Sequence, residues 1–181
     1  MVSAARDLIR ERGLNGTAFA DVLERSSTPR GSVYFHFPGG KTQIAVDAAD
    51  LHAQVHVDLI DELGAAAKTP AELAHRYIAL GREGMVASDF SRGCGVAPLA
   101  NEGWDNEEVM AASRRGFGRM VSQFVEQFVR LGMDSASAED FAQAVLAGVE
   151  GAMVTARAFR SAAPFDAIDA MVRARAAELA L

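Results

Sequence analysis

Residues 28–42 read TPRGSVYFHFPGGKT. The ending Gly39-Gly40-Lys41-Thr42 suggests the tail of a nucleotide-binding loop. Such a loop needs G-x-x-x-x-G-K-[ST] after a buried strand, so that backbone N–H groups can cradle a phosphate. With Gly40, Lys41 and Thr42 in the last three places, the first glycine falls on Phe35. The residues before it, Gly31-Ser32-Val33-Tyr34, follow a helix start rather than a strand. Thr28 then Pro29 places a capping hydroxyl before a proline at the first helical position, which predicts a short helix over 29–35. Pro38-Gly39-Gly40 breaks it, and a long helix is predicted from 41 to about 63.

Upstream, Thr17 is the expected N-cap of a helix over 18–25, and Ser26-Ser27-Thr28 joins that helix to the next. Two short helices across such a turn form a helix-turn-helix. Phe19, Val22 and Leu23 would pack the first of them on an amphipathic helix over 2–12, ended by Gly13. The second would enter a DNA major groove and expose Arg30, Ser32, Tyr34 and His36. Arginine reads guanine with two hydrogen bonds, and hydroxyls reach phosphate or base. Lys41, in the first turn of the next helix, could hold a phosphate together with the backbone N–H groups there. Phe35 and Phe37 are expected in the core, not on DNA.

Beyond residue 41 the chain again reads as helix, rich in Ala, Leu, Glu, Arg and Met, with no period-two run of β-branched residues. Thr69-Pro70-Ala71-Glu72 is a capping box opening a helix to about 88. Residues 89–104 are glycine-rich and irregular, with a short helix near 96–101. Asp105 with Glu108 opens another helix, closed by Gly132; Ser137 and Asp140 open the next, to about 161. Pro164 precedes a last helix over 165–180. The predicted class is all-α: an N-terminal three-helix helix-turn-helix domain, 1–40, and a C-terminal helical bundle, 41–181, with helix 41–63 shared as connector.

Half of the 181 residues are hydrophobic, enough to build a core. Apolar runs fall short of a membrane span, no N-terminal stretch has the order of a secretory signal, and one cysteine, Cys94, excludes an intrachain disulfide. A cytoplasmic protein without cofactor is expected. Net charge is −6, yet residues 1–50 carry six basic and six acidic groups, so the whole excess lies beyond them. A neutral head can bind DNA only if its few cations face the phosphates.

The run Thr28–Lys41, with Gly13 and Thr17, resembles the TetR family of bacterial transcriptional repressors. Gly31, Ser32, Tyr34, His36, Phe37 and Lys41 fill the family pattern Gly-[Ser/Thr]-x-Tyr-x-[His/Tyr]-Phe, turn, Lys. Cys94–Glu102 and Glu150-Gly151-Ala152 look like the subgroup related to the LmrA/YxaF regulators. The resemblance implies a homodimer that binds a palindromic operator and is released by a small, largely apolar effector. It implies DNA contacts at Thr17, Thr28, Arg30, Gly31, Ser32, Tyr34, His36 and Lys41, with the Tyr34 hydroxyl on a phosphate. It implies an effector pocket in the bundle, for which Met85, Phe90, Cys94, Asn101, Trp104, Met110, Phe117, Met120, Phe124, Met153 and Phe159 are candidates, although such a stripe also serves as plain core. Dimerisation would pair helices 138–161 and 165–180 with their copies, through Ala144, Gly148, Gly151, Ala152 and Met171. Two departures stand out. The family's first helix usually starts several residues earlier, often after a basic arm, so native residues are expected ahead of Met1; and Asp21-Val22 replaces a common isoleucine-alanine pair.

Other chemistries are weaker. His52 and His56 have zinc-compatible i, i+4 spacing, but two ligands are not a site. Cys94 as a redox switch lacks a flanking lysine or histidine in sequence. An enzyme built on Cys94, His75 and Glu102 finds no support in their spacing. A helix-turn-helix protein adaptor without DNA binding is the remaining alternative.

Overall fold

The computed structural model describes residues 1–29, 31 and 35–179. Among them every regular element is a helix: α1 Val2–Arg12, α2 Phe19–Arg25, α3 Gly40–Ala66, α4 Pro70–Ala87, α5 Ala97–Glu102, α6 Glu107–Arg130, α7 Ser135–Phe159 and α8 Ala163–Leu179. Gly31, Phe35 and His36, between α2 and α3, are also helical. None of the described helices is long and apolar enough to cross a membrane.

The chain forms two compact units, Met1–Val55 with Cys94–Phe117, and His56–Gly93 with Gly118–Leu181. The expected division at residue 40 is one of role; this one follows packing, and brings 94–117 into the unit that holds the helix-turn-helix.

In the first unit, α1 buries Ala5, Leu8 and Ile9, three residues of one helical face. α1 and α2 are clamped at the surface by Arg25, whose guanidinium donates to both oxygens of Glu11 at 3.0 Å, and by Arg12 with Asp21 at 3.2 Å. Gly13 ends α1 at φ +79°, donating its N–H to Ile9. A Cβ there would collide with the Glu102 carboxylate, which accepts the Asn15 N–H at 2.7 Å. Glu102, in α5, thus holds the α1–α2 loop directly. The first part of α3 contributes Ile44, Ala45, Ala48, Ala49 and Ala53, and 94–117 adds Val96, Leu99, Val109 and Ala112.

In the second unit, α8 packs against α4 and α7, and α4 against α7. α7 buries Ala138, Phe141, Ala142, Val145, Val149, Ala152 and Ala156, a three-and-four spacing that continues for five turns. Phe124, Phe128 and Phe165 are completely buried. Tyr77, Phe124, Phe128 and Phe141 form a row of rings with centroids 4.9, 5.4 and 5.0 Å apart.

Several caps differ from expectation. Ala18, not Thr17, is the N-cap of α2, because the Thr17 hydroxyl turns back to donate to Gly13 O at 2.7 Å. Asn106, not Asp105, accepts the Glu108 and Val109 N–H groups at the start of α6. Asp134, rather than Ser137 or Asp140, caps α7, accepting from the N–H groups of Ala136 and Ser137. The Thr69 box forms as expected on its first arm, Glu72 N–H to Thr69 Oγ1 at 3.2 Å; its second arm lands on the Lys68 N–H at 2.8 Å.

Candidate nucleic-acid interface

α2 ends in a Schellman turn: the Ser27 N–H donates to Glu24 O at 3.1 Å and the Thr28 N–H to Leu23 O at 3.0 Å. The left-handed position such a turn requires is held by Ser27, at φ +53°, instead of glycine. Ser26 Oγ donates to Thr28 Oγ1 at 2.9 Å, closing the turn with side chains. Such a turn ends α2 and redirects the chain, as the joint of a helix-turn-helix requires.

The outer surface after that turn is made by Gly31, Phe35, His36, Pro38, Gly39 and Lys41, all exposed. Phe37, in contrast, is buried at 7% exposure. Gly39 donates its N–H to Gln43 Oε1 at 3.0 Å, and Gly40, at φ +64°, begins α3. Lys41 is exposed in that first turn, beside the N–H groups that a helix start leaves without helical partners. Asn106 donates to Thr42 Oγ1 at 3.4 Å and steadies this turn from α6's side.

Of the predicted DNA contacts, Gly31, His36 and Lys41 share this outer surface. Arg30, Ser32 and Tyr34 lie outside the described residues. Thr28 is half-buried and engaged with Ser26. Thr17 is corrected: it is 5% exposed with its hydroxyl spent on Gly13, so it shapes the α1–α2 loop and offers nothing to a phosphate. Phe35 is a second correction. Expected in the core, it is 84% exposed, its ring edge-on to His36 at 5.3 Å. The helix ends at His36, so Phe37 enters the core from the loop that follows, while Phe35 stays on the exposed side of the helix.

The predicted pocket residues divide. In the second unit Met85, Met120 and Phe124 are buried and Met153 is half-buried, while Phe159, in the last turn of α7, is 72% exposed and lines no enclosed space. Phe90 is half-buried at a left-handed turn after α4. In the first unit Trp104, in the turn after Gly103, is 76% exposed and is likewise no pocket wall; Asn101 is exposed, and Met110 and Phe117 are half-buried. Cys94 is buried, and a feature invisible in sequence spacing appears beside it: His52 Nε2 lies 3.7 Å from Sγ, which also accepts the Val96 N–H at 3.2 Å. His56 instead meets the buried Tyr77 hydroxyl at 2.8 Å, and His75 meets Asp169 at 2.8 Å. His52 and His56, one turn apart, therefore serve different partners, and the helical spacing that suggested zinc is used for two separate contacts.

Among the small residues of α7, Ala144 and Gly151 are exposed, as is Met171 on α8. Gly148 and Ala152 turn inward: a Cβ on Gly148 would run into Ile168 of α8, and Ala152 is 4% exposed. The smallness of Gly148 serves the α7–α8 contact within the subunit.

Comparison with known proteins agrees with this geometry. A family model described as bacterial regulatory proteins, tetR family, matches residues 1–48, and one described as transcriptional regulator LmrA/YxaF-like, C-terminal domain, matches residues 70–171. The HTH-type transcriptional regulator Rv0196 of Mycobacterium tuberculosis is 33% identical over 179 residues, covering 96% of this chain and 90% of that protein. A TetR-family regulator from Agrobacterium tumefaciens has a similar crystal structure, with TM-score 0.81, 28% identity, and coverage of 97% of this chain and 94% of that one. The fold also matches the TetR-family regulator CifR, solved as a cysteine mutant complexed with 26 bp double-strand operator DNA, at TM-score 0.76 and 22% identity over 96% and 92% of the two chains.

Proposed function

Because the chain belongs to the TetR family of DNA-binding transcriptional regulators, we propose that it is a cytoplasmic homodimeric repressor that binds a palindromic operator and is released by a small, largely apolar effector. The observation that carries the dimer is an apolar stripe on the outside of the second unit. Along α7, Ala144, Ala147, Gly151, Val154 and Ala158 are exposed at three- and four-residue spacing, and along α8, Ala167, Ala170, Met171 and Ala174 are exposed likewise. Val154 and Met171 each stand 68% in solvent. Two helices that each carry an exposed apolar stripe suit a two-fold four-helix interface, since each stripe must find an apolar partner. A dimer also supplies two helix-turn-helices, whose recognition helices would reach successive major grooves about 34 Å apart.

On each head, Arg30, Gly31, Ser32, Tyr34, His36 and Lys41 would meet DNA, Arg30 at a base and Tyr34 and Lys41 at phosphates. Effector would lodge among the apolar groups of the second unit, where Met85, Met120, Phe124 and Met153 supply adaptable surface and the His56–Tyr77 pair a polar handle. α3 carries both Lys41 and His56. An effector that favours one position of α3 would therefore bias the placement of the head, through its differential affinity for the two states.

The test is a mobility shift of the purified protein on its own upstream DNA and on genome-selected DNA, at two salt concentrations with unrelated competitor. Expected is specific binding that weakens with salt and is lost in Arg30→Ala. Failure on genome-selected DNA as well would overturn the repressor and favour a protein adaptor.

A further inference from the structure

Among the described residues, the largest exposed apolar side chain of the helix-turn-helix is Phe35, which stands 84% in solvent. One turn earlier on the same helical face stands Gly31, where an added Cβ would meet no atom within 4 Å. The helix therefore presents bare backbone beside a projecting ring. The His36 ring packs edge-on against Phe35, with planes at 87° and centroids 5.3 Å apart, which restricts the rotation of the phenyl ring. Phe37, just past the end of that helix, is buried, so the core takes one phenylalanine and leaves the other in solvent.

We propose that Phe35 reads sequence, seating its ring against the 5-methyl group of a thymine in the operator's major groove. This rests on the DNA-binding role proposed above for this helix. A phenyl ring carries no donor or acceptor and gains nothing from a phosphate. The apolar group that the major-groove edge of a base pair offers is the thymine methyl. Gly31 lets the helix sit close enough for the ring to reach the base edge. Charge supports the same assignment. Of the six basic side chains in residues 1–50, Arg6, Arg12 and Arg25 are held in ion pairs with Asp7, Asp21 and Glu11. A head with few cations to spare for phosphates must draw more of its grip from contacts inside the groove.

The experiment starts from an operator selected from genomic DNA with the wild-type full chain. Each thymine in a half-site is replaced singly by deoxyuridine, which removes only the methyl group, and binding is followed by fluorescence anisotropy for wild type, Phe35→Ala and Phe35→Leu. For wild type, deoxyuridine at one position per half-site should weaken binding roughly fourfold, as expected for losing the burial of one methyl group. Phe35→Ala should bind at least tenfold more weakly and be indifferent to that replacement, while Phe35→Leu keeps part of both effects. Because Phe35 is exposed, the variants should melt with wild type, which a thermal scan checks. If wild type binds the operator but Phe35→Ala binds equally well, or both respond alike to deoxyuridine, the inference falls and the regulator stands. If Phe35→Ala instead changes the oligomeric state, the ring is a protein contact and the inference falls. If wild type binds no selected DNA, the proposed function falls and takes this inference with it.

Discussion

Single residues fix the local turns of this molecule, and two of them do so against or with their backbone preference. Ser27 occupies the left-handed place in the turn between α2 and the recognition helix at φ +53°. A non-glycine residue there costs about 1–2 kcal/mol, partly offset because serine has less freedom than glycine to lose on folding. Ser27→Gly should therefore stabilise the protein by roughly 0.5–1 kcal/mol, seen as a higher midpoint in urea. Gly13 is the reverse case. Its φ of +79° and the nearness of the Glu102 carboxylate leave no room for a methyl group. Gly13→Ala should cost about 2 kcal/mol, and Glu102→Ala should not, since the Asn15 N–H it frees is exposed and finds water. Denaturant titration of both variants separates the two effects.

At the level of elements, the helices are set by caps more than by composition. Thr69 Oγ1 accepts the Glu72 N–H, and Thr69→Ala should lower stability by about 1 kcal/mol in the same titration. Asp134 begins α7. Hydrogen bonds from the Ser137 hydroxyl, then from the Ser137 and Ala136 N–H groups, hold its carboxyl below the usual carboxylate range. Glu72 is lowered too, first by the Lys68 N–H and then by Arg76. A depressed carboxyl stabilises the fold while ionised, fully so above its unfolded pKa, and that contribution is lost as pH falls through the folded one. Thermal midpoints should thus drop with acidification into and below the ordinary carboxylate range, and Asp134→Asn, which still caps but does not titrate, should flatten that drop. Cap identity was only partly legible. Thr69 stands alone before its proline, whereas Asp134-Ser135-Ala136-Ser137 offers three capping side chains in four residues, and only the backbone path selects Asp134.

For the whole molecule, assembly is the property on which operator binding is expected to depend. Val154→Glu puts a charge in the middle of the α7 stripe without touching the interior of the subunit. We expect a monomer by sedimentation, with helix content unchanged and operator affinity at least tenfold lower, because one head alone reaches only one half-site. Gly148→Leu should act differently, destabilising the subunit through its clash with Ile168. Salt dependence belongs at this scale as well: Lys41→Ala should make the slope of log affinity against log salt shallower by about 0.9 for each phosphate that is no longer neutralised.

Taken by itself, the sequence determined the all-α class, nearly every helix, the helix-turn-helix with its Thr28–Lys41 pattern, and the family. Those features rest on neighbours in the chain: hydrophobic spacing, prolines at helix starts and glycines at helix ends act within one or two turns. What tertiary structure decided is which side of each helix meets which partner. It turned Phe35 outward, Gly148 and Ala152 inward and Trp104 into solvent, and it brought His52 to Cys94 across 42 residues and Glu102 to Asn15 across 87. A glycine, a phenylalanine or a histidine carries no mark of its neighbour in space. That neighbour is chosen by how complete helices pack, and the choice depends on every buried side chain at once.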